Sequence, residues 1–151
     1  MVSLPAGRDG AASARRLASD PGRAYGQDVL GSAPLIAFVP ATDLATAHAF
    51  YAGTLGLRLA EESPVALTFD ANGAQLRVAA VPELRPQPFT IAGWAVPDIY
   101  GTVRALRQAG VSFTRYDGLG QDADGVWTAP GGHLIAWFTD PDGNTLSLTQ
   151  F

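Results

Sequence analysis

The sequence predicts an α+β fold: two βαβββ repeats forming a curved, partly open eight-stranded sheet with the helices outside. Three observations point to it. Landmark residues recur in order, since Ile36, Asp43, Gly56, Asp70 and Gly73 are answered by Ile91, Asp98, Gly110, Asp140 and Gly143. Each half places an Asp where a helix N-cap belongs, just after a short apolar run and just before apolar residues at helical spacing. Each half also ends on two short strands joined by turn residues. Two copies of so long a unit are too few for a solenoid. Each unit would leave one sheet face apolar, and setting the two sheets side by side buries those faces.

In the first repeat, residues 35–81, Leu35–Val39 reads as a strand. Asp43 then caps a helix carrying Leu44, Ala47, Phe50, Tyr51 and Leu55, and Gly56 stops it as a C′ glycine does. Strands follow at Leu57–Glu61, Val65–Phe69 and Gln75–Val81. The last two are joined by Asp70-Ala71-Asn72-Gly73, whose Asn-Gly pair is a hairpin signal. Pro82–Pro88, with three prolines, reads as a linker.

The second repeat, residues 89–151, has the same order. Phe89–Val96 is a strand, Asp98 caps a helix through Val103, Leu106 and Arg107, and Gly110 ends it. Val111–Tyr116 is a strand, Asp117–Gly125 a Gly- and Asp-rich loop. His133–Thr139 and Thr145–Gln150 form a hairpin across Asp140-Pro141-Asp142-Gly143-Asn144. Ahead of the domain at 34–151, residues 1–33 are rich in Ala, Gly, Arg, Ser and Asp and read as a flexible extension.

Composition bounds the function. Of 151 residues, 47% are hydrophobic and 16% charged, which suits a packed core rather than a disordered chain. The net charge of −4 disfavours nucleic acid and anionic membranes as partners. The absence of Cys excludes disulfides, thiolate metal sites and a Cys nucleophile. No apolar run reaches the roughly 20 residues of a bilayer span, and a cytoplasmic protein is expected.

The segments Asp43-Leu44, Phe50-Tyr51, Leu55-Gly56-Leu57, Ala95-Val96-Pro97-Asp98 and Trp137–Asn144 resemble the vicinal-oxygen-chelate superfamily over residues 35–151. That superfamily includes glyoxalase I, extradiol dioxygenases and bleomycin-resistance proteins. The resemblance implies metal ligands seven residues before each capping Asp and three residues after the Asn of the final turn. Here those positions hold Ile36, Ile91 and Ser147, and the first-repeat counterpart of Ser147 is Arg77. Divalent metals need several O or N donors converging on one point, so neither a family-type metal nor any cofactor is expected. The acidic cluster Asp117, Asp122 and Asp124 lacks calcium-loop spacing and reads as solvated loop charge.

If the metal-site positions face inward as the resemblance implies, strand alternation adds their neighbours. Ile36, Phe38, Arg77, Ile91, Gly93 and Ser147 then line a trough. His133, Ile135 and Trp137 join from the seventh strand, and Leu67 enters as the first-repeat counterpart of Trp137. Tyr116 and Trp127 flank the trough mouth beside the long loop. Apolar and aromatic walls with a few polar groups suit a small-molecule site. The leading expectation is a metal-free homodimer that sequesters an aromatic or antibiotic-like ligand. The alternative is a metal-independent enzyme, with His133 as acid or base and Tyr116 or Arg77 stabilising negative charge.

Overall fold

The computed structural model describes residues 29–151, and the compact unit within them is Pro34–Phe151. The expected extension lies almost wholly outside the described residues. Two βαβββ repeats are present as two sheets. The first contains β1 (Ile36–Ala41), β2 (Arg58–Ser63), β3 (Ala66–Ala71) and β4 (Ala74–Ala80), in the order β1-β4-β3-β2. The second contains β5 (Thr90–Ala95), β6 (Phe113–Thr114), β7 (Trp127–Thr128), β8 (Leu134–Thr139) and β9 (Thr145–Gln150). Its order is β5-β9-β8-β6, with β7 also pairing β8. In each sheet the first strand of the repeat pairs parallel to the last, and the remaining pairings are antiparallel. The two-residue β7 has no counterpart in the sequence reading, which assigned no element to Trp127 and Thr128.

Helix α1 (Leu44–His48) starts at Asp43, whose carboxylate accepts from the N–H of Ala45 at 2.9 Å and Thr46 at 3.1 Å. Helix α2 (Ile99–Gln108) starts at Asp98, which accepts from Gly101 N–H at 3.0 Å. Both caps satisfy N–H groups that the first turn leaves without partners. The first helix differs from expectation beyond His48, because Ala49–Thr54 is a π-helical turn. Leu55 N–H reaches five residues back to Phe50 C=O at 2.9 Å. The widened turn keeps Tyr51 fully buried against Phe50 and Phe69.

One face of each sheet carries the core. Val39, Ala41, Leu67, Phe69, Leu76 and Val78 meet α1 and Tyr51 in the first repeat. Ala136, Phe138, Leu146 and Leu148 meet Ile99 and Val103 of α2 in the second. Each fully buried Phe, Leu or Val side chain here contributes about 1.5–3 kcal/mol through removal from water. Among the described residues no helix covers the opposite faces.

The repeats are joined by polar contacts as well. Tyr51 donates its hydroxyl to Asp140 Oδ2 at 2.8 Å. Asp140 Oδ1 accepts from the N–H of Asp142 at 3.0 Å and of Asn144 at 2.9 Å. Asn144 Nδ2 donates both to Asp140 Oδ2 and to Pro40 C=O at the end of β1. Thr42 N–H and its hydroxyl donate to Asp142. The Asp-Pro-Asp-Gly-Asn segment therefore both turns the chain and fastens one repeat to the other. Burial, with Asp140 alongside, pushes the Tyr51 hydroxyl far above its ordinary range, so it remains a donor at any ordinary pH.

Candidate functional site

The register decides which predicted residues share a face. In the first sheet Phe38 pairs with Arg77, Arg77 with Thr68, and Ile36 with Gln75. These side chains stand on the helix-free face, where Phe38 is 62% and Ile36 44% exposed. Arg77 is exposed, and among the described residues it forms no ion pair.

Leu67 corrects the sequence reading. It pairs with Val78, not with Arg77, and is 1% exposed in the core. The cause is hairpin length. The first hairpin closes with the pair Ala71–Ala74 around the two-residue turn Asn72-Gly73, at φ of 54° and 93°. The second closes with Thr139–Thr145 around five residues. Aligning Asp70 with Asp140 therefore slips β3 by one residue against β8, and a one-residue slip moves a side chain to the other face. The register counterpart of Trp137 is Thr68, which pairs with Arg77 as Trp137 pairs with Ser147.

In the second sheet Gly93, Ser147, Trp137, Ile135, Thr149 and Trp127 share the helix-free face through the pairs Gly93–Ser147, Ser147–Trp137, Ile135–Thr149 and Trp127–Ile135. Ile91 does not stand with them as expected. A register irregularity between Thr90 and Ala92 falls on it, and it packs against the core cluster. Thr90 takes the outward position, and its Oγ1 accepts from Trp137 Nε1 at 3.2 Å.

An aromatic cluster dominates this face. Tyr116 meets Trp137 edge-on with centroids 5.4 Å apart, and Trp127 lies 6.0 Å from Trp137 at 33°. Tyr116, 40% exposed, is held by Gln121. That side chain accepts from Tyr116 N–H at 2.7 Å and donates to Thr114 and Gly125 carbonyls. Thr90 and Gln121 are the positioning residues that sequence reasoning missed. A hydroxyl or amide in a strand or loop has no pattern that announces such a partner. His133 lies beyond the cluster, edge-on to the ring of Phe151 at 5.0 Å.

The long loop is built rather than merely solvated. Asp122 accepts from Tyr100 OH at 2.7 Å and from the N–H of Asp124 and Val126, each at 2.9 Å. Slight burial pushes its carboxyl up, but the hydrogen bonds from Tyr100, Val126 and Asp124 outweigh this and hold it below the usual aspartate range. Arg107 pairs with Asp124 at 2.9 Å. These contacts support the strand ends that carry Tyr116 and Trp127.

The donor set at the family's metal positions is two isoleucines, an arginine and a serine, which does not fit a divalent cation. Among the described residues no three His, Asp or Glu side chains gather closely enough to hold one. Clefts of about 230 and 210 Å³ open on the helix side and contain none of the predicted ligand residues. Among the described residues no helix is long and apolar enough to cross a membrane.

Comparison with known proteins agrees with this architecture. The bleomycin-binding protein complexed with bleomycin is 23% identical, with 78% of this chain and 97% of that one aligned at a TM-score of 0.62. The bleomycin resistance determinant of transposon Tn5 is 22% identical over 77% and 95% of the two chains, also at 0.62. A glyoxalase/bleomycin resistance protein/dioxygenase from Alicyclobacillus acidocaldarius is 23% identical over 80% and 92%, at 0.57. At these identities the likeness establishes the fold alone. No curated protein matches the sequence significantly. The profile of the Glyoxalase/Bleomycin resistance protein/Dioxygenase superfamily matches residues 34–148, and the chain belongs to that superfamily.

Proposed function

We propose that this protein is a metal-independent binding protein of the bleomycin-resistance type, sequestering an aromatic or antibiotic-like molecule on the helix-free face, as a cytoplasmic homodimer. The observation that carries the reading is the partly exposed cluster of Trp137, Trp127 and Tyr116 on a sheet face with no helix over it among the described residues. Exposed aromatic surface of this kind marks an interaction site, and stacking on one such ring adds about 0.5–1.5 kcal/mol beyond area burial. The unsuitable donor set supports independence from metal, and the bleomycin-bound structural neighbour supports a small-molecule ligand. Sequestration needs no chemistry, because binding lowers free ligand by mass action. The exposed apolar side chains Ile36, Phe38, Val65, Phe89 and Phe151 support a second copy as partner.

The enzymatic alternative has less behind it. His133 has an aromatic neighbour, and among the described residues no carboxylate orients it as a general base requires. Titration with bleomycin and a broad set of planar aromatics, read by tryptophan fluorescence with and without chelator, tests the proposal. Saturable quenching that survives chelator is expected. Absence of quenching across the set, or its loss on chelation, would sink it.

A further inference from the structure

The two sheets are chemically unequal. The strands of the first carry Arg58, Glu61, Glu62, Asp70 and Arg77. The five strands of the second, β5 to β9, carry no Asp, Glu, Lys, Arg or His. Their helix-free face is an aromatic wall of Tyr116, Trp127 and Trp137 beside hydroxyls on β5 and β9. The Thr90 hydroxyl is engaged by the Trp137 indole. Ser147 is different. It is 8% exposed, and among the described residues no hydrogen bond engages its hydroxyl. No fully buried side-chain polar atom lacks a partner among those residues, so they do not wholly enclose this hydroxyl.

Gly93 makes room for it. A Cβ at Gly93 would run into Ser147 Oγ and come within 3.2 Å of the Ser147 carbonyl. The Ser147 hydroxyl therefore occupies the space that a side chain at Gly93 would fill, directly across the ladder from Trp137. A hydroxyl both donates and accepts, so it suits a neutral polar edge and gives a full charge no counter-ion.

We infer that this face selects an uncharged planar heteroaromatic ligand, its ring against Trp137 and a carbonyl or amide edge bonded to the Ser147 hydroxyl that packs over Gly93. The inference rests on the binding reading above and adds the ligand class and its two selecting residues. A flat ring meets the indole without disturbing it, since Thr90 already fixes the indole N–H. Charged aromatics would sit on a surface whose strands offer no ion of opposite sign, at a cost in desolvation.

Four probes of similar size test it: quinolin-2-one, naphthalene, 2-naphthoate and N-methylquinolinium, each titrated against the full chain by tryptophan fluorescence. Quinolin-2-one is expected to bind roughly tenfold more tightly than the others, the order of one well-made hydrogen bond. Ser147→Ala should bring it down to the level of naphthalene while leaving naphthalene unchanged. Gly93→Ala should do the same by displacing the Ser147 hydroxyl. A tighter naphthoate or quinolinium, or an unchanged preference in Ser147→Ala, overturns the inference and leaves sequestration standing. Silence from all four probes overturns both. If Gly93→Ala alters self-association in sedimentation but not probe affinity, a second copy of the chain covers this face and the inference fails.

Discussion

The Tyr51 hydroxyl donates to Asp140 across the boundary between the two repeats, at 2.8 Å and out of contact with water. A hydrogen bond to an ionised group is worth more than a neutral one, and losing it strands a buried acceptor. Tyr51→Phe is expected to cost about 1.5–3 kcal/mol of stability, measured by denaturant unfolding. A change indistinguishable from zero would mean that Asp140 is satisfied by its turn alone.

Leu67 and Trp137 separate core from face. Leu67→Ala should destabilise the protein by about 2–5 kcal/mol yet leave ligand affinity unaltered in the folded fraction. Trp137→Ala should abolish most of the fluorescence response to aromatic ligands. Paired melts and titrations of the two variants check this, and a Leu67 variant that weakened binding without loss of stability would restore it to the site.

Arg77 is exposed and without an ion-pair partner among the described residues. Arg77→Ala should therefore shift stability by no more than about 0.5 kcal/mol. A larger loss in denaturant melts would expose a structural role for the guanidinium.

Asp122 predicts a dependence on acid. Its folded pKa lies below the unfolded value, chiefly through the bonds from Tyr100 and the Val126 and Asp124 amides. A depressed carboxylate contributes stability that is present above the unfolded pKa of about 3.9 and lost as pH falls through the folded value. Asp122→Asn should thus melt lower than the parent at neutral pH, with the gap closing below about pH 3.9. A gap independent of pH would show that geometry, not charge, holds the loop.

Much of the fold was legible because it rests on local chemistry. Asp43 and Asp98 cap their helices as their positions suggested, and Asn72-Gly73 makes the tight turn. What was not legible came from distant partners. The π-helical turn accompanies the burial of Tyr51 and its contact with Asp140, a residue in the other repeat. The irregularity beside Ile91 and the placement of Leu67 both depend on register, which a motif alignment does not carry. Of the candidate site, Trp137, Trp127, Tyr116, Gly93 and Ser147 are brought to one part of the second sheet, while Leu67 and Ile91 turn toward the core.

The unequal hairpins carry a consequence for how such a chain can be rebuilt. Because the tight Asn72-Gly73 turn and the five-residue Asp140–Asn144 turn differ by an odd count, the duplicated halves are not interchangeable parts. Transplanting the β3–β4 hairpin into the second position by motif would set the core residue Leu67 where the Trp137 indole belongs and deprive Pro40 of its Asn144 donor. Shuffling between the halves therefore has to conserve parity before it conserves sequence.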